Sequence, residues 1–134
     1  MNVTVGMTSH NCKNWSKLTI ESIYKYTEDI DFNFIIVDNA STDGSMEYFK
    51  SLVAKEGIPN PGKKFEIVGL DKNYGCARSF NEIFRRSLES DYVVLNNNDI
   101  VPSKKWLVNL IYYMNCHPEI GICSPFPVDN HIND

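Results

Sequence analysis

Four short polar clusters carry the residue types in this chain that can do chemistry: Thr8-Ser9-His10-Asn11, DNASTDGS at 38–45, Asp71-Lys72-Asn73-Tyr74-Gly75 and Asn96-Asn97-Asn98-Asp99. Asp38 can accept hydrogen bonds from a base or ribose, or close an Asx-turn before the next helix; the local sequence leaves both open. Asp43-Gly44-Ser45 reads as helix initiation, an acid suiting the positive end of the dipole. Arg78 falls in the first turn of a helical segment, where a cation opposes that dipole unless an anion lies close by. A diphosphate would be such an anion, and a plain surface position is the alternative. In Asn97-Asn98-Asp99, Asp99 offers a carboxylate and Asn97 a neutral oxygen to a hard divalent cation, which takes oxygen ligands. The alternative there is an Asn-rich turn before Pro102.

The elements that must position these clusters alternate along the chain. Apolar runs predict strands over Val3–Thr8, Phe32–Asp38, Phe65–Leu70, Tyr92–Asn96 and Ile120–Ser124. FNFIIVD and YVVLN are nearly continuous, as in strands covered on both faces of a parallel sheet. Between them, helical spacing aligns Trp15, Leu18, Ile23 and Tyr26, with Asn14 as N-cap. Further stripes are Met46, Phe49, Leu52 and Val53, then Ala77, Phe80, Phe84 and Leu88. The fourth is Leu107, Leu110, Ile111 and Met114, stopped by His117-Pro118. These aromatics and methionines read as core. The polar stretch EGIPNPGKK reads as a loop, not a domain boundary.

Such alternation predicts an α/β fold: a Rossmann-like, mostly parallel sheet with helices on both faces. All four clusters then fall at the carboxyl edge of one sheet, where open α/β sheets bind ligands.

Composition narrows the ligand. The 134 residues are 43% hydrophobic and 22% charged, an ordinary globular domain with room for one core. Thirteen Lys plus Arg against seventeen Asp plus Glu give a net charge of −4, so no basic field gathers nucleic acid. An anionic ligand must instead be held by a few placed cations, backbone N–H groups or a metal. Cys12, Cys76, Cys116 and Cys123 form no CxxC pair and read as reduced thiols of an intracellular, cytoplasmic protein. Cys116, His117, Cys123 and His131 match no common zinc spacing. No signal peptide opens the sequence, and no apolar run is long enough to span a bilayer. GxGxxG, GxxxxGK[ST] and GxSxG are all absent, which disfavours a nicotinamide site, a P-loop and a hydrolase elbow.

Together the clusters resemble the donor-binding half of a family 2 glycosyltransferase with the GT-A fold. MTSHN is similar to the family's opening strand-end motif, with His10 in the aromatic position. IIVDNASTDGS resembles its VDDxSxDGS-like segment, and LDKNYGCARSFNEIF its Asn-x-Gly loop and following helix. YVVLNNNDIVPSKKWL resembles the strand carrying the DxD motif, here as Asn-x-Asp.

The resemblance implies that Thr8, His10 and Asp38 contact the nucleobase of a UDP- or dTDP-sugar, while Asn73, Gly75 and Arg78 line its ribose and diphosphate. It places Asn97 near the ribose and gives Asp99 to Mn²⁺ or Mg²⁺. Asn in place of the first acid of DxD lowers the charge at that site. The implied reaction is an inverting transfer to the hydroxyl of a glycan or lipid-linked acceptor, as in polysaccharide biosynthesis. It further implies one GT-A domain over 1–134 lacking the acceptor-binding half, with any peripheral membrane association left to missing regions. Neither Asp129 nor Asp134 sits in a recognisable base motif, so no catalytic base is assigned. The competing expectation is a non-catalytic nucleotide-sugar-binding or interaction domain.

Overall fold

Runs of β-branched and aromatic residues form four strands: β1 (Val3–Ser9), β2 (Asn33–Asp38), β3 (Phe65–Gly69) and β4 (Tyr92–Asn96). They alternate with helices α1 (Lys13–Tyr26), α2 (Ser45–Ala54), α3 (Cys76–Arg86) and α4 (Trp106–Cys116). The structure, a computed structural model, describes residues 1–27, 29–54 and 64–125. Asp129, His131, Asp134 and most of EGIPNPGKK lie outside the described residues.

The sheet is entirely parallel, in the order β3-β2-β1-β4. β1 aligns Ser9 with Asp38 on one side and Met7 with Asn96 on the other. Its seven residues are all buried. Val3, Val5 and Met7 face one core with Phe34 and Ile36, covered by Ile20 and Ile23 of α1, Phe49 of α2 and Leu107 and Ile111 of α4. Ile35 and Val37 face the other way, onto Ile83 of α3. A Cβ at Gly6 would stand 2.4 Å from Ile83 Cγ2, so glycine lets α3 lie close against β1.

This distribution sets the topology. The chain steps from β1 to β2 to β3 through helices on one face, then returns to β4 through α3 on the other. The direction of winding therefore reverses between β1 and β4, and the edge beyond their carboxyl ends is where open α/β sheets bind ligands.

Several expectations need correction. Ile120–Ser124 is not a strand: Ile120 N–H turns back to the His117 carbonyl, and Ile122 is 90% exposed. Among the described residues this segment has no ladder partner, and an apolar run without one is not a strand. Asn14 lies inside α1, whose N-cap is Cys12 in the left-handed region with no side-chain cap. Trp15 and Leu18 are exposed, and the buried face of α1 is instead Ser16, Thr19, Ile20 and Ile23. The small polar members meet polar loop groups: Thr19 Oγ1 donates to the Ile100 carbonyl and accepts from Ile100 N–H. Leu88 falls beyond the end of α3 and is exposed.

Candidate functional site

The carboxyl ends of β1 and β4 are tied together by one amide. Asn98 Nδ2 donates to Ser16 Oγ at 2.9 Å and the Asn11 carbonyl at 3.2 Å, and lies 3.4 Å from Ser9 Oγ. These contacts join the turn after β4 to the end of β1 and the first turns of α1. With Asn98 held inward, Asn97 and Asp99 on either side are exposed. Among the described residues, neither side chain makes a hydrogen bond or ion pair, so both remain available to a ligand.

A second amide organises the other side. Asn39 is only 3% exposed. Its Nδ2 donates to Ser79 Oγ at 2.6 Å and to Thr8 Oγ1 at 3.3 Å, while its Oδ1 accepts from Tyr74 N–H at 3.3 Å. One side chain thus ties the end of β1, the loop after β3 and helix α3 to the end of β2. The Asn39 carbonyl accepts from His10 Nδ1 at 2.7 Å. A carbonyl only accepts, so Nδ1 carries a proton, and Nε2 lies 3.5 Å from Asn11 Nδ2.

The loops after β1 and β2 interlock. Asn11 N–H donates to Ser41 Oγ, and Thr42 N–H donates to Asn11 Oδ1, both at 2.8 Å. Asn11, Cys12 and Ala40 all have φ near +55 to +58°, the left-handed region. Such conformations cost energy for residues with a Cβ and cluster where loops are shaped for function.

Asp38 is buried at the end of β2 and closes its own turn, accepting from Ser41 N–H at 2.9 Å and Ser41 Oγ at 2.5 Å. The turn-closing role is present, and each carboxylate oxygen keeps a further lone pair. Asp43 does what its position predicts and more. It accepts from Ser45 at the start of α2, and its Oδ2 also takes Lys13 N–H, an orphan donor of α1, at 2.8 Å. Burial pushes the Asp43 carboxyl up, but the bonds from Ser45 and Lys13 outweigh it and hold it below the ordinary range.

After β3, Asn73 Oδ1 accepts from Gly75 N–H at 2.8 Å. Gly75 has φ 80° and ψ 172°, a conformation essentially confined to glycine. Asn73, Gly75 and Arg78 are exposed. Arg78 is not an unpaired cation at a helix start: its Nη2 lies 3.3 Å from Glu82 Oε1, one turn along α3. Glu82 also receives Arg85 at 2.7 Å and Arg86 at 2.5 Å. The Arg86 hydrogen bond, more than any other contact, holds its carboxyl below the usual range.

At the end of β1, Thr8 and the following His10 both bond Asn39, while Asn97 and Asp99 flank Asn98 in the turn after β4, and Asp38 lies at the next strand end. Asn73, Gly75 and Arg78 approach through the Asn39 connection. Asn39 and Asn98, which assemble the site, escape sequence reasoning. In the sequence both are ordinary members of polar turns, and only the register shows which side chains turn inward.

Among the described residues no three His, Cys, Asp or Glu side chains gather as a ready metal site. The donor set fits a divalent ion of a different kind: one free carboxylate, Asp99, with the neutral oxygen of Asn97. Hard cations bound by one or two carboxylates complete their shell with phosphate oxygens and water. None of the described helices is long and apolar enough to cross a membrane.

Comparison with known proteins places this geometry among others. The sequence pattern of Glycosyl transferase family 2 matches residues 4–133. The mannosyltransferase PcManGT from Pyrobaculum calidifontis, solved with GDP-Man and Mn²⁺, superposes with a TM-score of 0.73 at 23% identity, covering 84% of this chain and 32% of that one. S. aureus TarS 1-349 gives 0.70 at 19% identity, covering 88% and 33%. Its complex with UDP-GlcNAc gives 0.71 at 18%, covering 88% and 32%. The shared fold is that of the GT-A glycosyltransferases, and the chain spans about a third of the length of these structures. No curated protein matches.

Proposed function

The chain belongs to glycosyl transferase family 2, and from that premise we propose that residues 1–134 form the nucleotide-sugar-binding portion of a glycosyltransferase. The observation that carries this reading is the joining of the loops after β1, β2 and β4 where the strand order reverses: Asn98 bonds the Asn11 carbonyl, and Asn39 bonds Thr8 and His10. Exposed His10, Asn97 and Asp99, with Thr8 and Asp38 buried at the strand ends, stand on loops that are already hydrogen-bonded together.

In this reading Thr8, His10 and Asp38 form the nucleobase end. The exposed His10 ring is oriented for the base by its Nδ1 bond to the Asn39 carbonyl and by Asn11 Nδ2 beside Nε2. Asn73, Gly75, Arg78 and Asn97 line the ribose and diphosphate. Arg78 brings positive charge while Glu82 fixes its direction. Asp99 would hold Mn²⁺ or Mg²⁺ with the donor's own oxygens. A bound divalent ion supplies Lewis-acid stabilisation of the leaving diphosphate. The transfer, inverting in this reading, goes to an acceptor hydroxyl through a general base that is assigned to no residue of the chain.

Relatives of this fold have been solved with UDP, UDP-GlcNAc and GDP-Man. Calorimetry with UDP, dTDP and GDP, each with and without Mn²⁺, tests the reading. Binding of at least one, weakened by Asp99→Ala and made metal-independent by it, is expected. Failure to bind any of them would sink the assignment.

A further inference from the structure

In the loop after β3, tied to the strand ends through Asn39, two cations converge on one exposed ring. Lys72 Nζ lies 4.9 Å from the centroid of Tyr74, and the Arg78 guanidinium carbon 5.9 Å from it. Both distances are within cation–π range. Tyr74 is held by its backbone on both sides and by its phenol. Tyr74 N–H donates to buried Asn39, its phenol donates to Asp71 Oδ2 at 3.3 Å, and the next residue is locked by Asn73.

The two cations differ in what they are committed to. Arg78 shares Glu82 with two other arginines. Lys72 makes no ion pair among the described residues, and the face of a ring leaves its ammonium protons free for an acceptor. A flexible lysine on an exposed loop loses rotamer freedom when it lies over a ring. That cost is met before any ligand arrives, so a following anion contact loses less to ordering. The arrangement also stands out in a chain of net charge −4.

The geometry points to Lys72 as a further anion-binding residue of the donor site, engaging the diphosphate beside Arg78, with Tyr74 as the positioning residue for both cations. This rests on the nucleotide-sugar reading above and extends it to a residue and a ring outside that set. Tyr74 touches no reacting atom here; it acts by aligning charge.

The test uses the full chain with whichever of UDP or GDP it binds, together with the matching nucleoside, titrated by NMR. Lys72→Met is expected to weaken the nucleoside diphosphate about tenfold, the scale of one charge-assisted contact, and to leave the nucleoside within about twofold. Tyr74→Leu is expected to reproduce that pattern, and Tyr74→Phe, which keeps the ring, to restore affinity to within about twofold. Unchanged diphosphate affinity in Lys72→Met would overturn the inference alone, as would an equal loss for diphosphate and nucleoside. Wild-type chain that binds no nucleoside diphosphate would overturn the donor reading itself and this inference with it.

Discussion

The side-chain amide of Asn98 reaches Ser16 Oγ at 2.9 Å, 82 positions away in sequence, and so ties the turn after β4 to helix α1. Asn97 and Asp99 face outward because Asn98 faces in. Asn98→Ala removes a donor shared among three acceptors and is expected to cost about 1–2 kcal/mol of stability. It should also weaken Mn²⁺-dependent nucleotide binding more than metal-free binding. Asp99→Asn is expected to remove the metal-dependent part with little change in melting temperature, since Asp99 makes no side-chain bond among the described residues. Calorimetry with and without Mn²⁺, beside thermal unfolding, separates the two.

Asn39 is the corresponding knot on the other side. Truncating it to Ala strands Ser79, Thr8 and the Tyr74 N–H in a largely buried setting, at an expected cost of about 1–3 kcal/mol. His10 should be less affected, because it is held by the backbone carbonyl of Asn39 and not its side chain. Denaturant unfolding reads the first effect, and the His10 ring NMR signals read the second.

Two single substitutions probe backbone strain without touching the core. A Cβ at Gly75 would meet nothing within 4 Å, yet Gly75→Ala is expected to destabilise by about 1–3 kcal/mol because of its φ and ψ. Ala40→Gly works in reverse: relief of the left-handed penalty exceeds the added entropy of glycine, for a gain of about 0.5 kcal/mol. Equal and negligible changes for both in urea unfolding would contradict this.

The pH dependence follows from three carboxyls held low. Asp43, Glu66 and Glu82 all lie below their ordinary values in the folded chain. For Glu66, burial raises the carboxyl, but Lys64 and Arg86 outweigh it. A carboxyl lowered by folding contributes fully above its unfolded value and loses that contribution as pH falls through its folded one. Thermal midpoints are therefore expected to stay level near neutrality and to drop as pH falls below about 4. Glu82→Gln should lower the midpoint at pH 7 and make the acid drop shallower. A parallel drop in wild type and variant would remove Glu82 as a source.

Local pattern alone determined that strands and helices alternate here, because a buried parallel strand must be apolar on both faces and an amphipathic helix must repeat its stripe. VTVGMTS, NFIIVD and YVVLN leave little alternative, and the polar clusters after them mark one edge of a sheet. IVDNASTDGS and LNNND also carried the family resemblance, which the match over residues 4–133 bears out.

Tertiary structure decided everything that depends on a partner distant in sequence. IGICS at 120–124 reads as a short strand but has no ladder neighbour among the described residues, and a strand exists only through its neighbour. Trp15 looked like core and lies 54% exposed, while Ser16 beside it is buried because Asn98 and Ser9 come to meet it. Arg78 and Glu82 are the local exception: four residues apart on one helix, their pairing follows from helical spacing and not from a distant partner. Among consecutive asparagines, nothing local says that Asn98 turns in while Asn97 turns out. The β1–β4 pairing settles it, because only that pairing puts three acceptors around one amide.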